Sequence, residues 1–398
     1  MENILLATII SNFGGDQMKK FLLVPDSFKG TMSSLEICEI MQKAINNHYP
    51  DAQCVSIPVA DGGEGSVEAF LTALGGRKVS AGVSGPFGEQ IDSFFGLLPD
   101  GTAVIEMAAA AGLPLAGENK NAEKTTTYGV GQLIKLALSS GCKKIIIGLG
   151  GSATNDGGCG AASAMGVRFF DNNGRIFVPT GKTLRDIAKI ELADALNQFK
   201  NVELIAMCDI DNPLCGPNGA SAVFGPQKGA DGDMVKRLDN GLLHLSQIVK
   251  RDLGKDIADM PGAGAAGGMG FGVAAFFDSR LQMGIETVLD AVKFDKLLKD
   301  ADMVLTGEGK MDTQSLRGKV VIGVARRAKK ANVPVVAIVG DIGDNIDGAY
   351  AEGVSAVFSI NRIAAPFSQA KLRCKEDLYL TVDNFAGYTK LIEKINNR

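Results

Sequence analysis

Five short segments of this chain carry carboxylates, lysines or amides, and four of them also contain glycine. Glycine lets backbone N–H groups approach an anion, and lysine adds a positive point charge for a phosphate or a carboxylate. Carboxylates beside such groups suit Mg²⁺, which prefers a few carboxylates together with substrate phosphate oxygens. The combination predicts phosphoryl transfer, in which the protein mainly positions groups and stabilises charge. The segments are residues 26–30, 61–65, 148–158, 209–213 and 307–312.

Most of these segments follow a short apolar run, which is typical of a buried parallel strand. In open α/β sheets, ligands bind outside the carboxyl ends of the strands. We therefore expect the five segments to contribute to a ligand site. The predicted strands are residues 21–24, 54–59, 145–147, 202–207, 303–305, 335–339 and 356–360.

Helix signals alternate with these strands. Ser33 and Glu36 have the spacing of a capping box and predict a helix that begins after Ser33. Apolar residues at helical spacing predict a helix over residues 125–140, with Gly141 as its C-terminal cap. The remaining predictions are helices over residues 234–253 and 319–331, and short strands within residues 78–107.

This order of elements predicts an α/β fold made of two α/β domains. One is a Rossmann-like domain with a doubly wound parallel sheet, and the other is inserted into it. Residues 1–17 are expected to be an extension outside the core, because the apolar run at 4–10 is too short to span a bilayer and lacks the basic residues of a secretory signal. The predicted boundaries are 18–76 with 286–398 for the Rossmann-like domain and 77–285 for the inserted domain.

The composition excludes several classes of protein. The chain has 398 residues, 50 of them glycine, but its 45% hydrophobic content is that of a globular protein rather than a disordered one. A net charge of −4 without a basic block argues against nucleic acid as a partner. Two histidines argue against a histidine-rich zinc site and a Ser-His-Asp hydrolase. Seven cysteines without a Cys-x-x-Cys pair favour a reducing cytoplasm.

Three glycine-rich stretches imitate nucleotide-binding motifs. Residues 148–153 match GxGxxA after a predicted strand, which makes a nicotinamide-dependent dehydrogenase the alternative interpretation, although the glycines at 157–158 fall where the helix of that motif should already run. Residues 262–267 match GxGxxG but follow no predicted strand. Residues 181–183 resemble the end of a Walker A loop, but Ile176 occupies the position of its first glycine.

Eight segments, in order and from about Met18 to the C-terminus, resemble the bacterial glycerate kinase family of type I enzymes. The resemblance implies phosphorylation of D-glycerate by MgATP to 2-phosphoglycerate, or to 3-phosphoglycerate as in a few members. It also implies two α/β domains with the active site in the cleft between them. The segments are PDSFKG at 25–30, ADGGEG at 60–65, TTTYGVG at 125–131, GGSATNDGG at 150–158, CDIDNPL at 208–214, FGPQKG at 224–229, PGAGAAGG at 261–268 and TGEG at 306–309.

The residue chemistry and the resemblance together give a hypothesis for the site. The lysines neutralise phosphate or the glycerate carboxylate, and the backbone of the glycine loop at 150–152 binds the ATP phosphates. The carboxylates supply Mg²⁺ ligands and a base for the attacking hydroxyl. Asp209 is the first candidate for that base, with Asp61 and Asp156 as rivals. By role, the predicted residues are Lys29, Asp61 and Asp209 for catalysis; Gly150, Gly151, Ser152, Asn155 and Lys228 for the nucleotide phosphates; Ser27, Asp156, Glu308 and Asp312 for substrate; and Glu64 and Asp211 for the metal.

The predicted cofactors are ATP and Mg²⁺, and the predicted partners are small molecules, with neither nucleic acid nor a membrane involved. The chain is expected to act in the cytoplasm as a monomer or homodimer. Besides the dehydrogenase, a non-catalytic sensor of sugar acids or nucleotides remains an alternative.

Overall fold

The computed structural model describes residues 18–59, 62–192, 196–313 and 315–397. The predicted extension at 1–17 and the predicted catalytic residue Asp61 lie outside these ranges. The chain forms two compact units, one of Met1–Ala60 with Ile285–Arg398 and the other of Asp61–Gly284. No helix within the described ranges is long and apolar enough to cross a membrane.

Strands and helices are numbered here in chain order over the described residues. The strands β1 to β16 are Lys20–Pro25, Gln53–Ser56, Arg77–Ser84, Gln90–Leu97, Thr102–Glu106, Lys144–Gly148, Arg168–Phe170, Ile176–Phe177, Lys189–Glu191, Glu203–Met207, Arg280–Gln282, Met303–Gly307, Lys310–Met311, Val335–Val339, Asp341–Ile342 and Val354–Ser359. The helices α1 to α14 are Ser34–His48, Ser66–Leu74, Ala108–Ala111, Leu113–Ala116, Tyr128–Ser139, Cys159–Ala164, Ala220–Phe224, Gly232–Leu253, Ala265–Phe277, Gly284–Ala291, Phe294–Leu297, Val320–Lys330, Gly348–Glu352 and Phe367–Asn396.

The first unit contains a five-stranded parallel sheet in the order β2-β1-β12-β14-β16. Counted along the unit, this is the order 2-1-3-4-5, which is that of doubly wound flavodoxin-like sheets. The winding therefore reverses between β1 and β12, and ligands of such sheets bind outside the carboxyl ends of the strands at that point.

Helices cover both faces of this sheet. On one face, side chains such as Leu23 and Leu305 pack with Ile37 of α1 and Leu378 of α14 in one buried cluster. On the other, α12 packs against β12 and β14. Because both faces are covered, β1, β12 and β14 are buried along their whole length.

The second unit contains a six-stranded sheet in the order β3-β4-β5-β6-β10-β11. Strands β5, β6, β10 and β11 run parallel, and β3 and β4 form an antiparallel pair at one edge. Its core joins β6 residues such as Ile145 and Ile147 to Leu133 of α5 and Phe271 of α9. The α/β class predicted from the sequence is confirmed. Residues 61–76, which the sequence analysis grouped with the first domain, fall in the second unit because α2 packs on β4 and β5.

The helix predicted after Ser33 is present, and its capping box is complete. The Ser33 backbone N–H donates to Glu36 Oε2 at 2.9 Å, and the Glu36 backbone N–H donates to Ser33 Oγ at 3.3 Å. The predicted helix at 234–253 begins earlier, at Gly232, because Asp231 caps its first turn.

The helix predicted over 125–140 begins three residues later, at Tyr128. The Thr127 backbone N–H and hydroxyl both donate to Asp156, at 2.7 and 2.9 Å. These bonds hold Thr127 in a non-helical conformation, so the helix begins at the next residue.

The glycine cluster at 262–272 builds the start of α9. Ala266, Gly267 and Gly268 have positive φ angles of 55°, 68° and 88°. A Cβ atom at Gly267 would overlap the carbonyl oxygen of Thr154, so a side chain there would push α9 away from the loop after β6. The GxGxxG match at 262–267 is therefore explained by packing within the second unit.

Candidate active site

The first unit has a pocket of about 650 Å³ at the carboxyl ends of β1 and β12, where the winding of its sheet reverses. The backbone N–H of Asp26 donates to the Gly307 carbonyl at 2.8 Å, which joins the segments that follow the two strands. Two of the five segments singled out in the sequence thus meet in one place. Polar side chains that line the pocket include Asp26, Ser27, Lys29, Glu308, Lys319 and Lys371.

Glu308 is a deeply buried acid of this pocket, with 6% of its surface exposed. Burial raises the pKa of its carboxyl to about 7, and the neighbouring charges of Asp26 and Asp312 act in the same direction. A hydrogen bond with Ser315 and the charge of Lys319 oppose that rise. The pocket therefore holds a carboxyl that changes its charge near neutral pH.

The other predicted residues of this unit lie nearby, in different environments. Ser27 is half-buried and Lys29 is exposed, and both line the pocket. Asp312 follows the short strand β13, is half-buried, and donates its backbone N–H to Ser315 Oγ at 3.1 Å. The structure brings Ser27, Lys29 and Glu308 together, with Asp312 close enough to affect the charge of Glu308.

In the second unit, the glycine loop after β6 packs against the segment that follows Asp61. The Gly150 backbone N–H donates to the Gly62 carbonyl at 2.9 Å. A Cβ atom at Gly150 would lie 2.7 Å from Gly63 Cα, so only glycine permits this approach of the two backbones. Gly151 is exposed and has a φ of +74°, a conformation that favours glycine.

Lys228 lies beneath this loop and has 2% of its surface exposed. Its Nζ donates to Ser152 Oγ at 2.8 Å and to the Thr154 carbonyl at 2.7 Å. Burial lowers the pKa of the ammonium to about 7, although the charge of Asp156 opposes that shift. The structure places Lys228 next to Ser152, and the lysine contacts the loop itself.

Asp156 is fully buried, and its carboxylate accepts several hydrogen bonds. Besides the two from Thr127, Oδ1 accepts from the Gly158 N–H at 3.1 Å and Oδ2 from the Gly160 N–H at 3.2 Å. These bonds connect the starts of α5 and α6. Asn155 is also buried, and its amide donates to Ser221 Oγ at 3.1 Å.

The predicted base and metal residues are spread over the second unit. Asp209 is half-buried, and its Oδ1 accepts from the Gly284 backbone N–H at 2.7 Å. Asp211 is exposed, and Glu64 is exposed at a separate pocket that the buried Glu106 also lines.

Among the described residues, no three acidic, histidine or cysteine side chains are grouped so that they could hold a metal ion. Mg²⁺ bound mainly through nucleotide phosphates needs only one or two protein carboxylates. The separate positions of these acidic residues are compatible with such a site.

The loop after β6 differs from a dinucleotide fingerprint. That motif opens a helix within its glycine triplet, whereas here α6 begins only at Cys159, after Gly158. The GxGxxA match at 148–153 therefore lacks the helix N-terminus that would receive a pyrophosphate.

Sequence reasoning missed several residues of these two sites. Lys319 precedes α12 and Lys371 lies on α14, far in sequence from the other pocket residues, and no spacing pattern connects them. Thr127 lies within the TTTYGVG segment and supplies two of the bonds to Asp156, but its residue type alone does not predict that role. The TTTYGVG segment was the one available signal.

Comparison with known proteins agrees with the motifs. A sequence model of the glycerate kinase family matches residues 21–390. The chain is 44% identical over 374 residues to the glycerate kinase of Bacillus subtilis, which covers 94% of this chain and 98% of that protein. It is 45% identical over 343 residues to the glycerate 2-kinase of Escherichia coli, covering 86% and 90%.

A solved structure is similar over nearly the whole chain. It is a crystal structure of a protein from Salmonella typhimurium LT2 that is provisionally assigned as glycerate kinase 2. The two chains are 41% identical, and their structures superpose with a TM-score of 0.83. The match covers 94% of this chain and 99% of that one. The resemblance inferred from the eight segments is confirmed, and the chain belongs to the glycerate kinase family of enzymes.

Proposed function

We propose that this protein transfers the γ-phosphoryl group of MgATP to a hydroxyl of D-glycerate, giving 2-phosphoglycerate and ADP. Membership of the glycerate kinase family supports the reaction, and the similarity to the E. coli glycerate 2-kinase supports the 2-phosphate as product.

The observation that carries the proposal is the pocket at the carboxyl ends of β1 and β12, where the winding of the first unit's sheet reverses. A small hydroxy acid needs a cation for its carboxylate and a hydrogen-bond acceptor for its hydroxyl groups. Lys29 and Lys319 supply positive charge, and Glu308 supplies a buried oxygen. In this proposal Ser27 and Asp312 belong to the same substrate site.

We assign the nucleotide to the glycine loop of the second unit. Gly150, Gly151 and Ser152 offer backbone N–H groups for phosphate oxygens, and Lys228 holds the loop in position from below. When bound, Mg²⁺ supplies charge neutralisation at the phosphates, with Glu64, Asp209 and Asp211 as the proposed carboxylates near it.

A coupled assay of ADP release tests the proposal directly. ADP should form with D-glycerate and ATP, and much more slowly with L-glycerate. Omission of Mg²⁺ should abolish the signal. NMR of the product should show phosphate on carbon 2.

Two results would contradict the proposal. Phosphate on carbon 3 would overturn the assigned product. Tight binding of NADH without competition from ATP, together with no ADP release, would favour the dehydrogenase instead.

A further inference from the structure

The carboxylates first considered as the base are engaged elsewhere or lie outside the described residues. Asp209 Oδ1 accepts a backbone N–H at 2.7 Å. Asp156 is fully buried among four donors within 3.2 Å, which hold both of its oxygens. Asp61 is not among the described residues.

Glu308 differs from Asp156 in its hydrogen bonding. Among the described residues, nothing donates to its buried Oε1, although only 6% of the residue is exposed and it lines the pocket at the carboxyl ends of β1 and β12. A buried acceptor without a donor destabilises the folded state, because it has lost its hydrogen bonds to water. Folding alone therefore does not account for this oxygen, whereas a ligand hydroxyl in the pocket would satisfy it.

The surroundings of Glu308 suit proton transfer near neutral pH. The hydrogen bond from Ser315 fixes the carboxyl, and burial raises its pKa to about 7. A general base is most effective when its pKa lies near the working pH. The charged groups that act on Glu308 are Asp26, Asp312 and Lys319, and the other titratable groups lining the pocket are Lys29, Lys310, Asp341, Lys371, Cys374 and Asp377.

Resting on the proposed function, we propose that Glu308 is the proton acceptor for the substrate hydroxyl. Its Oε1 accepts the hydrogen bond of that hydroxyl in the bound state. As the hydroxyl oxygen bonds to the γ-phosphorus of ATP, the bond from that phosphorus to the bridging oxygen of ADP breaks. The hydroxyl proton passes to Glu308 Oε1 and is released to solvent after the product leaves.

The test compares Glu308→Gln with the wild type. Glutamine keeps the size of the side chain but cannot take the proton, so kcat should fall by about a hundredfold or more. The KM for ATP should change by less than about threefold, because only the transition-state interaction is lost. Glu352→Gln, which changes a surface ion pair with Arg326, is the matched control and should keep wild-type kcat.

The pH profile adds a readout that a structural role would not change. In the wild type, kcat/KM for glycerate should rise with pH through an apparent pKa near 7. That rise should be absent in Glu308→Gln, whose melting temperature at pH 8 should equal or exceed that of the wild type.

The possible failures are distinguishable. A wild type without glycerate-dependent ADP release overturns the proposed function. An active wild type whose kcat/KM stays flat between pH 5.5 and pH 9 overturns the role of Glu308 without any variant. A folded Glu308→Gln enzyme with near-normal kcat does the same.

Discussion

Lys228 Nζ donates a hydrogen bond of 2.8 Å to Ser152 Oγ inside the second unit. A second bond of 2.7 Å reaches the Thr154 carbonyl, and the lysine has 2% of its surface exposed. Lys228, which the sequence predicts as a phosphate ligand, therefore forms its hydrogen bonds with the glycine loop itself. Its Nζ acts on the position of the loop through these two hydrogen bonds.

The first prediction concerns the pH dependence of stability. Burial lowers the pKa of Lys228 from its ordinary value of 10.5 to about 7 in the folded state. Between these values the unfolded chain carries a proton that the folded chain lacks, so the free energy of unfolding rises with pH by up to about 1.4 kcal/mol per unit. Lys228→Met should remove this rise, as measured by urea unfolding between pH 7 and pH 9.5.

Lys236→Met is the control for this measurement, because Lys236 is an exposed lysine on α8. It should unfold with the pH dependence of the wild type. If wild type and Lys228→Met show parallel stability curves over this range, the lysine is charged in the folded protein throughout.

Local features of the fold followed from neighbouring residues in the sequence. The capping box of Ser33 and Glu36 lies within one helical turn, so its spacing alone predicted the start of α1. The apolar run at 303–305 likewise predicted β12, because a strand buried on both faces must be apolar throughout.

Features that depend on distant contacts could not be predicted in the same way. Asp156 and Thr127 are 29 residues apart, and nothing in their spacing shows that one carboxylate fixes the starts of two helices. Lys371 reaches the pocket of Glu308 only because α14 packs back on the sheet. The direction of a buried side chain depends on the complete packing, which is why the unsatisfied oxygen of Glu308 appeared only in the structure.

The second prediction concerns Asp156. In Asp156→Asn, one acceptor oxygen becomes an NH₂ group that faces backbone N–H donors. The lost charge-assisted bonds and the new unpaired donors should lower the free energy of unfolding by about 2–4 kcal/mol. Denaturant unfolding measures this loss, and Asp186→Asn at an exposed position should show a change within about 0.5 kcal/mol.

A role of Asp156 in substrate binding alone would give a different result. Asp156→Asn would then unfold at the wild-type denaturant concentration while its KM for glycerate rose.

The third prediction concerns Lys29, an exposed lysine that lines the pocket. Lys29→Ala removes a positive charge that the proposal places on the substrate carboxylate or the transferred phosphoryl group. Steady-state kinetics should show kcat/KM for glycerate reduced at least about tenfold, which corresponds to 1.4 kcal/mol of transition-state binding. Lys330→Ala, at an exposed position near the end of α12, should leave kcat/KM unchanged, and an equally small effect of Lys29→Ala would remove Lys29 from the site.

The fourth prediction separates two reasons for glycine at position 267. Gly267 has a φ of +68°, and an added Cβ would also overlap the Thr154 carbonyl. Gly254 has a similar φ of +71°, but nothing lies within 4 Å of its Cβ position. Gly254→Ala should therefore cost only the backbone strain, about 1–2 kcal/mol, whereas Gly267→Ala adds overpacking of about 1–3 kcal/mol. Chemical denaturation of both variants measures the difference. Because Thr154 also accepts the bond from Lys228, Gly267→Ala should raise the KM for ATP as well, while Gly254→Ala should leave it unchanged; equal stability losses and equal KM values would show that α9 does not fix the loop.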